Sequence, residues 1–134
     1  MSSTAHIWPI RVYFEDTDFS GNVYHAAYLK FMERARTEFL RALGVHHFEL
    51  NEEGLVFAVR HMEIFFDGPA RIDDLLQVES EPVLVGGARL GLRQTVRRGA
   101  EVLVRAEVTV AMVNRSGRAT RLPRSLRDAL ERDD

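Results

Sequence analysis

The chain has 134 residues, 46% of them apolar and 28% charged, with a formal charge of −2 at pH 7. That length suits one domain with its own core, spanning 1–134, and the mild negative charge excludes global attraction to nucleic acid. The absence of cysteine excludes disulfide scaffolds, thiolate nucleophiles and thiolate metal sites, and it fits a cytoplasmic location.

The opening MSSTAHIWPI lacks the basic start and apolar run of a signal peptide, and no stretch reaches the length of a membrane span. No membrane insertion is expected. Residues 7–14 place Trp8, Ile10, Val12 and Phe14 on one side of a strand, with Pro9 near its start, where a missing N–H is tolerated. The turn-rich EDTDFSGN ends it. From about Tyr24 to Leu43 the apolar positions Tyr28, Phe31, Met32, Ala35, Phe39 and Leu43 recur at three- and four-residue steps, which predicts a helix stopped by Gly44. Four segments with strand character follow, 55–66, 75–85, 88–98 and 101–114. In the last, Val102, Val104, Ala106, Val108, Val110 and Met112 form one face against Arg105, Glu107 and Thr109. Turn signals at Gly86-Gly87, Arg98-Gly99 and Ser116-Gly117 predict consecutive antiparallel hairpins, and a short helix is expected after Pro123. One long helix cannot serve five strands as crossover connections, so the expectation is α+β, an antiparallel sheet packed on the helix.

Chemistry concentrates in EDTDFSGNVYH, residues 15–25, where Glu15, Asp16 and Asp18 put three carboxylates between strand and helix. In an extended segment Asp16 and Asp18 point the same way, and repulsion raises at least one pKa toward that of a useful base. The same residue types also make an ordinary polar turn with helix-capping groups.

The segment VYFEDTDFSGNVYHAAYLKFMERARTEFLRALG resembles the first third of the Tol-Pal-associated acyl-CoA thioesterases, a branch of the 4-hydroxybenzoyl-CoA thioesterase family. WPIRV, VFAVRHMEIFFDGPARIDDLL, AEVTVAMVN and LPRSL extend the resemblance over nearly the whole chain in order. It implies a hot-dog fold, a curved antiparallel sheet of about five strands wrapped around one long central helix. Members form dimers through their sheets, usually paired into tetramers, with active sites at the dimer seam. The implied reaction is hydrolysis of an acyl-CoA to a free acid and CoA, with no metal or cofactor. The family's catalytic aspartate matches Asp18, and its oxyanion-binding backbone N–H falls on His25.

Either route from a carboxylate to a thioester, direct attack or removal of a proton from water, needs Asp18 ionised. Amides at a helix N-terminus are ready donors for the oxyanion. The His25 side chain is read as orienting or proton-transferring, Tyr24 as a pocket wall, and Tyr28 as packing at the helix start. Phe19 stands where the branch often has a small residue, so it is expected either to narrow the acyl pocket toward short chains or to turn into the core. Asn22 replaces a common aliphatic residue. Arg89 and Arg121 are the candidate contacts for CoA phosphates, although the turn VGGA lacks the basic cluster of some relatives. Nothing in the sequence supports an acyl carrier protein as partner.

Two rival readings come from other classes. An apolar strand followed by DTDFSG resembles the nucleophile turn of haloacid dehalogenase-like phosphatases, but that chemistry needs a doubly wound sheet, a later lysine and further Mg²⁺ ligands. Only Lys30 is available, and Asp73-Asp74 would have to serve as ligands. A non-catalytic acyl-binding or scaffold module is the second alternative, against which the presence of Asp18 argues. His46, His47 and His61 show no metal-ligand spacing, and Arg60 and Glu63 are expected to pair or to face a subunit seam.

Overall fold

The computed structural model describes residues 5–132. Strand β1 (His6–Arg11) is shorter than its alternation predicts, because the chain tightens into a single 3-10 turn at Phe14–Asp16. The Asp16 carboxylate accepts the Tyr13 N–H at 2.8 Å within that turn. Phe14 therefore leaves the apolar face it was expected to share and is exposed, while Val12 remains buried.

Helix α1 (Ala27–Ala42) buries Tyr28, Phe31, Met32, Ala35 and Phe39 of the expected stripe together with Ala27 and Leu40, whereas Leu43, expected in the stripe, is the C-cap and only half-buried. Gly44, at φ +89°, takes the left-handed conformation that closes it. Helix α2 (His47–Glu52) was not foreshadowed by the pattern, since only Leu50 of its six residues is buried. His46 and His47 thus enter a second helix rather than ending the first.

Strands β2 (Val56–Phe66), β3 (Leu75–Val85), β4 (Arg89–Arg98) and β5 (Glu101–Val113) lie within a residue of the predicted segments, and α3 (Arg124–Arg132) follows Pro123. All pairings are antiparallel, in the order β1-β3-β4-β5-β2, so β3, β4 and β5 form the expected hairpins while β2 pairs on the far side of β5. The register of β2 shifts between Val59 and His61, leaving Arg60 as an extra residue. That bulge changes the parity of the strand. Val59 faces inward opposite Val110 before it, and Met62 faces inward opposite Val108 after it, whereas Glu63 turns to the outer face opposite Glu107.

The sheet wraps α1 with two apolar clusters. One joins Tyr28, Phe31 and Met32 to Ile10, Leu76, Val78, Val96 and Val104; the other joins Phe39 and Leu40 to Leu90, Leu92, Val108, Val110 and Leu126. Between them sits a polar bridge in which Gln94, fully buried, donates to the Met32 carbonyl at 3.1 Å and to Ser80 Oγ at 2.9 Å. Arg36 Nη1 donates to Gln94 Oε1 at 3.0 Å. A buried amide is tolerable only when its donors and acceptor are met, and here both ends have partners.

Candidate active site

Between β1 and α1 the chain forms a small antiparallel loop. Thr17 bridges Val23, the Tyr24 N–H donates to the Asp16 carbonyl at 2.9 Å, and the Asp18 N–H donates to the Asn22 carbonyl at 3.0 Å. At the tip, the Gly21 N–H donates to the Asp18 carbonyl with Gly21 at φ +88°, a turn that an L side chain would strain. The loop is fastened to the β2–β3 connection by the Val23 N–H on the Ala70 carbonyl (2.8 Å) and the Ile72 N–H on the Gly21 carbonyl (3.2 Å). From beneath, the Ala70 N–H donates to the Tyr28 hydroxyl at 3.1 Å. Burial raises the Tyr28 pKa, so the phenol stays protonated.

This folding turns the two aspartates in different directions. Asp16 faces back into the 3-10 turn, whereas Asp18 opens onto a cleft of about 500 Å³ lined also by Asn22, Tyr24, His25, Tyr28 and Phe66. Asp18 Oδ1 accepts both the Ser20 hydroxyl and the Ser20 N–H, the latter at 2.8 Å. Those bonds, the hydroxyl's first, hold its carboxyl below the usual carboxylate range. Hydrogen bonding to Ser20 thus sets the acidity of Asp18, and the raised pKa expected of at least one of the neighbouring carboxylates does not fall on Asp18.

His25 lies in the turn that leads into α1, its carbonyl accepting the Tyr28 N–H at 3.3 Å. Among the described residues neither the His25 nor the Ala26 N–H donates a hydrogen bond. Two free amides thus stand ahead of the helix, where donors are unsatisfied and the dipole favours negative charge. The His25 ring is exposed, 4.6 Å from Tyr24 and 6.2 Å from Phe66 between centroids.

Asp18, Tyr24 and His25 are thus brought together, and the other three expected residues are not. Phe19 points from the turn tip fully into solvent and lines no wall of the cleft, so the turn rather than the acyl pocket decides its direction. Arg89 and Arg121 lie by the Gly86-Gly87 turn at the opposite end of the sheet. From Val104, opposite Phe66, to Ala111, opposite Arg89, the strand rises roughly 23 Å at about 3.3 Å per residue. Within one chain those arginines do not reach the cleft.

Sequence reasoning missed Asp67, which lines the cleft and whose carboxylate takes two bonds from Arg105, one at 2.6 Å. The pair lowers the Asp67 pKa. Its signal was the Asp-Gly-Pro turn after β2. Of the ligands the phosphatase reading requires, Asp74 is occupied by the Arg71 N–H at 2.9 Å and by Arg98 at 2.7 Å. Among the described residues no group of three His, Asp or Glu side chains is arranged to hold a metal, and no helix is long and apolar enough to cross a membrane.

Comparison with known proteins adds an independent line. Residues 20–105 match the family model described as Thioesterase superfamily. The chain is 43% identical over 118 residues to "Acyl-CoA thioester hydrolase YbgC" of Escherichia coli O6:H1, covering 85% of this chain and 86% of that protein. With "Acyl-CoA thioesterase YbgC" of Haemophilus influenzae it shares 46% identity over 108 residues, 80% of this chain and 79% of the relative. A probable thioesterase from Bartonella henselae superposes with a TM-score of 0.86 at 47% identity, covering 89% of this chain and 99% of that one.

Proposed function

Since the chain belongs to the thioesterase superfamily as a hot-dog acyl-CoA thioesterase of the YbgC type, we propose that Asp18 carries its catalysis and that the amides ahead of α1 hold the oxyanion. The observation behind this reading is the meeting of the Asp18 carboxylate and His25, whose N–H is unbonded among the described residues, in one aromatic-walled cleft. The lowered pKa keeps Asp18 charged at neutral pH, as either route requires. In one route Asp18 attacks the thioester carbonyl, CoA leaves as thiolate, and water hydrolyses the resulting anhydride. In the other Asp18 takes the proton of a water that attacks the same carbon, and the released thiolate recovers a proton. Both pass through a tetrahedral oxyanion, for which donors already in place cost no reorganisation. The His25 ring and Tyr24 orient the substrate beside Phe66.

Assembly belongs to the same proposal. The edge strand β2 exposes Val56, Val59, Phe65 and Phe66, each about half-accessible, more than a single soluble chain needs on one strand. Pairing of two such edges about a two-fold axis would cover them and carry Arg89 and Arg121 of a second copy toward this cleft, the direction from which CoA phosphates would be met. The expected state is a dimer or a tetramer. Light scattering that finds an active monomer at dilute concentration refutes it.

The deciding experiment measures thiol release from short aliphatic to aromatic acyl-CoA substrates by the native protein and by Asp18→Asn. Turnover in the native protein that disappears in the variant supports the assignment; equal turnover in both overturns it.

A further inference from the structure

We propose that Arg98, at the end of β4, is a positioning residue for Asp18, acting by bracing the β2–β3 connection against which the Asp18 loop is held. The proposal rests on the catalytic reading of Asp18 and adds a residue that lines no part of its cleft.

The stretch from Pro69 to Asp74 grips the loop with its middle. Its Ala70 carbonyl accepts the Val23 N–H, its Ile72 N–H donates to the Gly21 carbonyl, and Arg71 bridges Asn22. Gly21 and Asn22 are in turn bonded to the main chain of Asp18, the Gly21 N–H on the Asp18 carbonyl and the Asp18 N–H on the Asn22 carbonyl. Hydrogen bonds thus run unbroken from the connection to Asp18. The connection is a poor anchor by itself, because Asp73 sits at φ +72°, a left-handed conformation taken by no other non-glycine residue among those described. Such a backbone persists only where its surroundings over-determine it.

Arg98 provides much of that surrounding. Its Nη1 donates to the Asp74 carboxylate at 2.7 Å and to the Pro69 carbonyl at 3.3 Å, so one guanidinium ties both ends of the stretch. Asp74 Oδ2 also accepts the Arg71 N–H, which closes the turn from inside, and Arg11 Nη1 meets the Asp73 carbonyl at 2.7 Å. The other amino group of Arg98, Nη2, donates to Glu101 at 2.8 Å and is thereby fixed at the β4–β5 turn. Among the described residues no other side chain bonds to both ends of the stretch. The pairs of Arg93 with Glu81 and Glu107 differ in kind, since they join strands that the backbone ladder already joins. An exposed ion pair across a ladder adds little. The half-buried Arg98–Asp74 pair instead sets where a loop lies, and rate depends steeply on placement, a shift of about 1 Å costing up to about 100-fold.

The test measures kcat per folded protein and KM for the native chain, Arg98→Gln, Arg98→Lys, Asp74→Asn, the Arg98→Gln/Asp74→Asn double variant and Glu101→Gln. Arg98→Gln and Asp74→Asn should each lower kcat by about tenfold or more with KM within about twofold, and the double variant should be no slower than the slower single one. Arg98→Lys should recover part of the loss, and Glu101→Gln, which leaves both bonds to the connection, should stay within about twofold of native. Hydrogen exchange at the Val23 and Ile72 amides should quicken in Arg98→Gln while exchange in β4 and β5 does not, a local change that a general loss of stability does not produce. Should Arg98→Gln not fold, the same two readouts on Asp74→Asn decide. A native kcat in Arg98→Gln, or a lowered kcat with exchange at Val23 and Ile72 unchanged, overturns the proposal. Asp18→Asn keeps the two readings apart: an inactive Asp18→Asn beside a fully active Arg98→Gln sinks only the brace, whereas an active Asp18→Asn sinks the catalytic reading and this proposal with it.

Discussion

The two ends of the polar machinery along α1 differ in what their groups already bond. Ahead of the helix, the His25 and Ala26 amides donate to nothing among the described residues, and Asp18 faces an open cleft. Against its middle, Gln94 is fully buried and bonded at both ends to Ser80, Met32 and Arg36. Unsatisfied groups in contact with solvent cost little and stay available to a substrate, whereas an unmet polar group in the core costs stability directly. The first region is accordingly expected to govern rate and the second folding.

The sharpest way to break that contrast is at Asp18. Asp18→Asn should lower kcat by about 1,000-fold while leaving thermal unfolding unchanged, and Asp16→Asn, which touches only the 3-10 turn, should cost less than about tenfold. An Asp16 variant as inactive as the Asp18 variant would remove the distinction between them. Next in size, Gln94→Ala should destabilise the fold by about 2–4 kcal/mol by denaturant titration, because it leaves Ser80, Arg36 and the Met32 carbonyl without their shared partner. Its folded fraction should retain normal kcat; a rate defect there would carry the buried bridge into the catalytic region. His25→Ala keeps the backbone N–H, so a loss within about tenfold is expected if the main chain holds the oxyanion. A loss matching Asp18→Asn, with the fold preserved, would make the imidazole the base.

The smallest effect sharpens rather than breaks the comparison. Ser20→Ala removes the hydroxyl bond that chiefly depresses the Asp18 pKa. Because the role proposed for Asp18 needs its carboxylate ionised, the acid limb of kcat/KM against pH should move to higher pH, with the plateau at neutral pH little changed. A limb that stays in place, or moves to lower pH, would show that it does not report Asp18.

Legibility in the sequence followed the range over which each feature is determined. The inner face of β5 from Val104 to Met112 and most of the buried stripe of α1 are set by local periodicity, so their spacing was sufficient there, whereas Val102, expected on the same face, lies opposite Arg97 beyond a register shift and Leu103 is buried instead. Helix α2 is too short and too little buried to show a period. The bulge at Arg60 reverses the alternation of β2 midway, which a uniform two-residue count cannot anticipate. Asp18 and His25 were legible as a resemblance, and the local backbone brings them to one cleft. The direction of Phe19 is decided by a single turn, the distance of Arg89 and Arg121 by the length of the sheet, and the acidity of Asp18 by a neighbour two residues away. None of these appears in residue type alone.

Surface connections normally absorb insertions and deletions, since their backbone bonds to water. The β2–β3 connection is an exception, because its Ala70 and Ile72 main-chain groups hold the loop that presents Asp18. A change of length between Pro69 and Asp74 would displace the carboxylate even though no cleft-lining side chain was altered. For loop grafting or circular permutation, that stretch consequently belongs with the proposed reaction centre, and the exposed Ser116-Gly117 turn at the far end of β5 is the safer place to cut.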